Sequence, residues 1–237
     1  MTDIEQKTEE WYQQYYKKKG AGRNDLLRNP EVLFQTFAFD CSIIQSFRSM
    51  NLNPDTARIL DVGCGDGGSI INLLRLGFPP SNIYGIDIMS ERINEAKKKF
   101  PNINWIHGDA SCMKFEDNFF DCVMESTMFI QITNDDLAGK IAKEMVRVTK
   151  KGGYILLIDW RYSRPFNKEY KGLSKKRIIN LFAVGKKTLL FKTYRGALVP
   201  PVGRFISKNI PYIYFLVQLL FPFLVGQITT ILKKITD

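Results

Sequence analysis

Residues 59–68, ILDVGCGDGG, decide the fold. A short apolar run surrounds one acid, Asp61, which is typical of a buried strand. Glycines follow at once, and they supply the backbone conformations that a tight turn needs. The apolar segment SIINLLRLG comes next and predicts a helix that begins near Ser69. The stretch therefore predicts strand, turn and helix, with the helix N-terminus open toward a ligand.

The glycines satisfy two ligand-binding patterns. Gly63, Gly65 and Gly68 fit the pattern G-x-G-x-x-G of dinucleotide sites. Gly63, Gly65 and Gly67 fit the pattern G-x-G-x-G of S-adenosylmethionine (SAM) enzymes. The glycines alone leave both ligands open.

Acidic residues beside the turn help to choose between the ligands. A pyrophosphate would lie near Asp61 and Asp66, and each close pair of like charges costs roughly 1–4 kcal/mol near a protein surface. SAM has no phosphate, and acids favour its sulfonium and ammonium groups. Asp87, at the end of the next predicted strand, would reach ribose hydroxyls in either case. The charges therefore favour SAM.

Composition limits the class of protein. The 237 residues suit one domain, for which we predict a helical lid (1–52), a cofactor-binding core (53–159) and a substrate-side extension (160–237). The four cysteines show no C-x-x-C pair and there is one histidine, so we expect no metal and a cytoplasmic location. MTDIEQKTEE has no apolar segment typical of a signal peptide.

Charge is distributed unevenly along the chain. The net charge is +10, but the residues from Lys150 onward carry 17 Lys/Arg and three acids. This basic part suggests an anionic partner, such as a phosphorylated substrate, nucleic acid or a membrane surface, or else a solvated basic face.

Strands and helices alternate from residue 59 to residue 159, which predicts a parallel sheet covered on both faces. Two later strands, in KTLLFKTYRG and GQITTILKK, complete the prediction. The expected α/β fold is a Rossmann-like, seven-stranded, mostly parallel sheet whose last strand is antiparallel, with a C-terminal helical insertion. We predict helix N-caps at Asn29, Ser90, Asn134 and Ser174.

An ordered series of motifs spans the same region: DVGCGDG, YGIDIMSERINEAKKK, HGDASCMKFEDNFFDCVMES and EMVRVTKKGGYILLID. This series resembles the class I SAM-dependent methyltransferases, in the branch that includes the ubiquinone/menaquinone C-methyltransferases. The segment YRGALVPPVGR is similar to bacterial enzymes of surface-glycan pathways.

The resemblance implies SAM as cofactor, S-adenosyl-L-homocysteine as product and a set of cofactor-binding residues. Asp61 would lie near the ammonium group, Asp87 would bind the ribose, and Asp109 would accept from the adenine amino group. Ile88 or Met89 would pack on the adenine. The full implied set is Asp61, Gly63, Cys64, Gly65, Asp87, Ile88, Met89, Asp109, Ala110, Glu125 and Ser126.

An acceptor hydroxyl would need a base, and the strand ends offer Glu125 and Asp159. Glu125 could instead bind only SAM, and Asp159 could pair with Arg161 or Arg164. The loop after the fifth strand is the predicted acceptor site, and an N-terminal lid over SAM is expected from the family. These two sets are Trp160, Arg161, Tyr162 and Arg164 for the loop, and Tyr15, Tyr16 and Arg23 for the lid.

Residues 209–232 carry no charge. We expect core packing of the last helix and strand, with peripheral contact at the inner membrane face or a membrane span as alternatives. The predicted function is methyl transfer from SAM to an oxygen or nitrogen acceptor on a small molecule or a glycan or lipid-linked precursor. Alternatives are an RNA methyltransferase and a non-catalytic SAM-binding protein.

Overall fold

The structure is a computed structural model that describes residues 25–163 and 167–236, together with Gln6, Glu10, Trp11 and Gln14. The predicted lid residues Tyr15, Tyr16 and Arg23 lie outside the described residues, and so does Arg164. Their predicted roles stay predictions.

Seven strands form one sheet in the described part of the chain. They are β1 (Ile59–Val62), β2 (Ile83–Asp87), β3 (Asn104–His107), β4 (Phe120–Ser126), β5 (Thr149–Trp160), β6 (Thr188–Arg195) and β7 (Gln227–Lys234). Their order across the sheet is β3-β2-β1-β4-β5-β7-β6. The strands β1 to β5 pair in parallel, whereas β7 runs antiparallel to both β5 and β6. The predicted sheet, with its antiparallel last strand, is confirmed.

Helices cover both faces of this sheet. They are α1 (Leu33–Ser49), α2 (Ile70–Arg75), α3 (Ser90–Lys99), α4 (Asp135–Val148), α5 (Lys175–Leu181), α6 (Pro200–Asn209) and α7 (Tyr214–Leu220). Alternate residues of β1 enter different cores: Ile59 packs with residues of α1, α2 and α3, and Leu60 packs with residues of α4 and α5. Burial of both faces explains the apolar runs in the central strands β1, β4 and β5.

Two of the four predicted N-caps form. Asn134 Oδ1 accepts from the backbone N–H groups of Asp136 and Leu137, and Ser174 Oγ accepts from that of Arg177. The caps predicted at Asn29 and Ser90 are wrong. The Asn29 side chain donates to the Asp25 carbonyl, and Ser90 is already the first residue of α3.

The charge-free segment divides into two environments. β7 pairs with β5 and β6 and is largely buried, as predicted for the last strand. The core packing predicted for the last helix is wrong, because Tyr214 is the one buried residue of α7. The segment is uncharged and mostly apolar throughout, and tertiary contacts decide which of its residues are covered.

No helix among the described residues is both long enough and apolar enough to cross a membrane. The predicted cytoplasmic location stays a prediction.

Candidate functional site

A cleft of about 1290 Å³ opens at the carboxyl ends of the parallel strands. The strand order reverses between β1 and β4, and in open α/β sheets ligands bind at such a switch point. The glycine turn after β1, the end of β2 and the turn after β4 all line this cleft. The fold therefore brings the predicted cofactor motifs to one place.

The backbone of the turn distinguishes the two glycine patterns. Gly63, Gly65 and Gly67 have φ values of +69°, +54° and +85°, in the left-handed region that favours glycine. A Cβ at Gly67 would lie 2.9 Å from the ring of Trp105, whereas a Cβ at Gly68 would meet nothing within 4 Å. The structure requires glycine at 63, 65 and 67, which is the pattern G-x-G-x-G.

The turn is tied to the end of β2. The N–H groups of Gly63 and Cys64 both donate to the Ile86 carbonyl, at 2.8 and 3.2 Å. Gly65 N–H donates to Asp87 Oδ2 at 2.8 Å, and Met89 N–H donates to Asp87 Oδ1 at 2.9 Å. The Asp87 carboxylate is therefore fixed at the cleft wall.

The two acids of the charge argument have different environments. Asp66 forms ion pairs with Arg92 and Lys99. Its partial burial opposes ionisation, but the hydrogen bond from Lys99 and the charge of Arg92 lower its pKa overall. Its charge is therefore compensated within the protein, and Asp66 adds less to cation binding than the sequence suggested.

Asp61 is fully buried, and neither of its carboxyl oxygens has a hydrogen-bond partner within the described structure. Burial, followed by the negative charge of Asp87, raises its pKa from 3.8 to about 8, although the nearby Ser69 side chain lowers it. A buried polar group without a partner is costly. Asp61 does not itself line the cleft, since it lies beneath the turn, two residues before Gly63. A cationic group bound above the turn would still compensate this buried carboxylate, so the residues present fit the ammonium group of SAM.

The other predicted cofactor residues are placed as follows. Gly63, Cys64, Gly65, Asp87, Ile88, Asp109, Ala110 and Ser126 line the cleft. Met89 is buried and does not line it, so of the two residues predicted to pack on adenine the structure exposes Ile88 to the cleft. His107, the single histidine of the sequence, donates from Nε2 to the Ile88 carbonyl at 3.0 Å.

The two predicted bases, Glu125 and Asp159, are buried and do not line the cleft. Glu125 accepts from the N–H groups of Met128 and Ile158, at 2.9 and 3.1 Å. Burial and the charge of Asp159 raise the pKa of Glu125 well above its usual value. In this arrangement Glu125 fixes the turn after β4.

Asp159 has a similar environment. It accepts from the N–H groups of Ile130 and Trp160, at 2.8 and 2.6 Å, rather than pairing with Arg161 as one alternative predicted. Burial raises its pKa to about 7, although these two hydrogen bonds lower it. Asp159 also holds the turn after β4, whose residue Thr127 has a φ of +59°. The geometry places both acids as supports beneath the cleft.

The predicted acceptor loop is only partly in the cleft. Trp160 lines it. Arg161 and Tyr162 do not: Arg161 Nη2 donates to the Pro222 carbonyl at 2.6 Å, and the Tyr162 hydroxyl donates to the Phe223 carbonyl at 3.0 Å. The prediction that these two side chains contact the acceptor is therefore not supported, because they hold the segment after α7.

Sequence reasoning missed several polar residues of the cleft. Gln131 and Arg204 both line the cleft. The Gln131 Oε1 and the Arg204 Nε are buried, and neither has a hydrogen-bond partner in the described structure. Arg204 comes from a segment distant in sequence from the motifs, whereas Gln131 follows the third motif by five residues. The sequence feature that could have indicated a role for Arg204 is the resemblance of YRGALVPPVGR to a segment of known enzymes.

Comparison with known proteins agrees with this site. Residues 59–153 match the family described as "Methyltransferase domain". The match covers less than half of the chain and makes this part similar to known methyltransferase domains. The predicted resemblance to the class I SAM-dependent methyltransferases is confirmed, and SAM is the cofactor of that class.

Two curated relatives show the range of similarity. The ubiquinone/menaquinone biosynthesis C-methyltransferase UbiE of Vibrio cholerae is 26% identical over 193 residues, which cover 78% of this chain and 62% of the relative. The fatty-acid O-methyltransferase of Mycolicibacterium smegmatis is 32% identical over 122 residues, which cover 50% of this chain and 43% of the relative. The chain therefore spans less than two thirds of the length of either relative.

Solved structures share the fold. A SAM-dependent methyltransferase of Methanosarcina mazei has a TM-score of 0.57 at 21% identity, covering 82% of this chain and 98% of its own. The geranyl diphosphate C-methyltransferase of Streptomyces coelicolor, solved with Mg²⁺, geranyl diphosphate and S-adenosyl-L-homocysteine, has a TM-score of 0.60 at 13% identity. It covers 83% of this chain and 81% of its own.

Proposed function

We propose that this chain transfers the methyl group of SAM to an acceptor that carries an anionic group and enters the cleft beside Arg204. The observation that supports cofactor binding most strongly is the unpartnered carboxyl group of Asp61 beneath a turn that requires glycine at 63, 65 and 67. Asp87, fixed at the cleft wall, would accept from the ribose hydroxyls.

SAM, when bound, supplies a methyl group on a sulfonium, which is already an activated leaving group. The chain then needs to orient the two reactants and exclude water. The turn after β4, from Ser126 to Gln131, lines the cleft and is held from beneath by Glu125 and Asp159. We infer that this turn separates the cofactor from the acceptor.

The cleft has room for a second molecule. Its volume of about 1290 Å³ exceeds the roughly 300–1,000 Å³ of a typical small-molecule pocket. Away from the glycine turn, its lining includes Trp160, Tyr170 and Arg204. An aromatic wall with a guanidinium suits an acceptor that has an apolar part and a carboxylate or phosphate.

The acceptor atom stays a prediction. The prediction favours oxygen or nitrogen, whereas the names of relatives include carbon and oxygen acceptors. Transfer from SAM labelled with ¹³C at the methyl group, followed by NMR of the product, distinguishes the three bonds by chemical shift.

The test of the proposed function is a labelled-methyl assay across anionic acceptors, run beside a SAM titration. Arg204→Gln should raise the acceptor KM about tenfold, because a charge-assisted contact is lost, while the Kd for SAM stays unchanged. Arg28→Gln, at an exposed arginine outside the cleft, is the matched control. SAM binding without transfer to any acceptor would favour the non-catalytic alternative, and transfer only to RNA would favour the RNA alternative.

A further inference from the structure

The segment from Phe205 to Phe223 presents an apolar outer surface, here called the 205–223 surface. Its exposed members include Tyr212 at 94%, Leu219 at 63% and Phe223 at 63% relative exposure. The others are Phe205, Ile210, Ile213, Phe215, Leu216, Leu220 and Phe221. Single exposed apolar residues are normal, but ten within nineteen residues mark an interaction surface.

This surface lies on an anchored element. The Tyr214 side chain is fully buried, and its hydroxyl accepts from the Leu198 N–H at 3.0 Å. Gln218 Nε2 donates to the Gly196 carbonyl at 2.6 Å, and Arg195 Nη1 donates to the Leu219 carbonyl at 3.1 Å. One side of α7 is therefore fixed to the protein. Its other side, which carries the exposed apolar residues, must then face outward.

The charges that the C-terminal part of the chain contributes around the surface have one sign. The sequence has twelve Lys/Arg and no Asp or Glu between Tyr170 and Thr236. At the rim of the surface, Arg195 donates to the Leu219 carbonyl and Arg161 donates to the Pro222 carbonyl. The exposed Lys208 lies within the segment itself.

Arg161 also connects the surface to a basic depression of about 580 Å³. Lys143, Lys171 and Lys176 line this depression with Arg161, and the acid among its lining residues, Asp135, is already paired with Lys171. The apolar surface is thus bordered by an excess of positive charge, of which Lys171 is compensated by Asp135.

We propose that the 205–223 surface docks on an anionic lipid bilayer, with its aromatic and leucine side chains in the interface and the basic rim at the headgroups. Apolar side chains flanked by Lys and Arg are the pattern of interfacial membrane binding. A nucleic acid does not suit an apolar face, and a protein partner does not by itself call for a basic rim.

The position of α6 relates this surface to the cleft. Pro200 and Arg204 of α6 line the cleft, whereas Phe205 of the same helix is 62% exposed on the outer surface. If the proposed methyl transfer is correct, docking places the acceptor end of the cleft beside the bilayer, which suits an amphipathic acceptor. Docking itself does not depend on methyl transfer.

The test is co-sedimentation of the full chain with vesicles of phosphatidylcholine alone or mixed with phosphatidylglycerol. The wild-type chain should pellet with the mixed vesicles, and salt should weaken this binding. The triple variant Leu216→Gln, Leu219→Gln, Phe223→Gln should lower the partition coefficient at least about tenfold. Lys208→Gln should lower it about fivefold. Ile71→Gln, at a half-exposed residue of α2, should leave it unchanged.

A SAM titration of each variant reports that the cleft is intact, independently of lipid. Wild-type chain that stays in the supernatant with mixed vesicles at low salt would overturn the proposal, and so would equal pelleting of the triple variant. A wild-type dimer that the triple variant converts to a monomer, without pelleting, would assign the surface to a second copy. Pelleting without methyl transfer would contradict only the proposed function.

Discussion

The backbone N–H of Gly65 donates to Asp87 Oδ2 at 2.8 Å, so the glycine turn after β1 and the acid that ends β2 form one unit. Neither motif is specific alone. Their direct contact fixes the carboxylate at the cleft wall, where a ribose would be bound.

Asp87→Ala should therefore weaken SAM binding by more than tenfold. The change removes the proposed ribose contact and leaves the N–H groups of Gly65 and Met89 without their acceptor. Isothermal titration with SAM measures the effect. Glu95→Ala, at an exposed acid of α3, is the control and should bind SAM as the wild type does. Equal affinities for both variants would remove Asp87 from the site.

Gly67→Ala should weaken SAM binding and lower the free energy of unfolding by about 1–2 kcal/mol, because φ at this residue is +85° and the new Cβ would press on Trp105. Gly68→Ala is the matched control, since a Cβ there meets nothing. Urea unfolding and SAM titration compare the pair. If Gly68→Ala is the damaging change instead, the G-x-G-x-x-G pattern is the relevant one.

Asp61→Asn should make stability less dependent on pH. The folded-state pKa of Asp61 is about 8 against an ordinary value of 3.8, so between these values the folded chain holds a proton that the unfolded chain has lost. Stability of the SAM-free chain should then fall as pH rises through this window, by about 1.4 kcal/mol per pH unit from this group. The asparagine variant should lack that contribution.

Urea unfolding of the wild type and of Asp61→Asn, at about pH 5 and about pH 8, tests the direction of this pH dependence. The variant should be the more stable of the two SAM-free chains at the higher pH, yet it should bind SAM more weakly. A wild-type chain that gains stability relative to the variant as pH rises would contradict the unpartnered environment of Asp61.

Asp159→Asn tests whether this acid is a base or a support. If Asp159 only holds the turn after β4, the variant should melt at a lower temperature because one of its two backbone contacts is lost. The shape of the pH profile of kcat should stay the same. A loss of kcat of about a hundredfold or more, together with the disappearance of an ionisation near pH 7, would assign it a general-base role instead.

The fold could be predicted where the local sequence patterns and the burial of the strands indicate the same structure. The motif series from Ile59 to Asp159 predicts five parallel strands, and both the sheet and the cleft follow from it. Contacts between distant segments were not predictable. Arg161 follows the fifth strand as an acceptor residue would, but its donation to the Pro222 carbonyl depends on how the C-terminal helices pack.

Apolar composition likewise could not distinguish core from surface in the segment 209–232. β7 is the more polar of the two, yet it lies between two strands and is largely buried, whereas the more apolar α7 packs against the protein on one side only. The two acids beside the turn do not favour a bound cation equally, because Asp66 is paired with Arg92 and Lys99 and Asp61 is not.

The central claim is that the cleft binds SAM through the glycine turn, Asp87 and Asp61. Isothermal titration of the full chain with SAM near pH 7, repeated in two buffers of different ionisation enthalpy, tests it most directly. We predict one saturable site for SAM and the release of a proton to the buffer as Asp61 ionises near the bound cation. No saturable binding of SAM, or binding of a dinucleotide in its place, would contradict it.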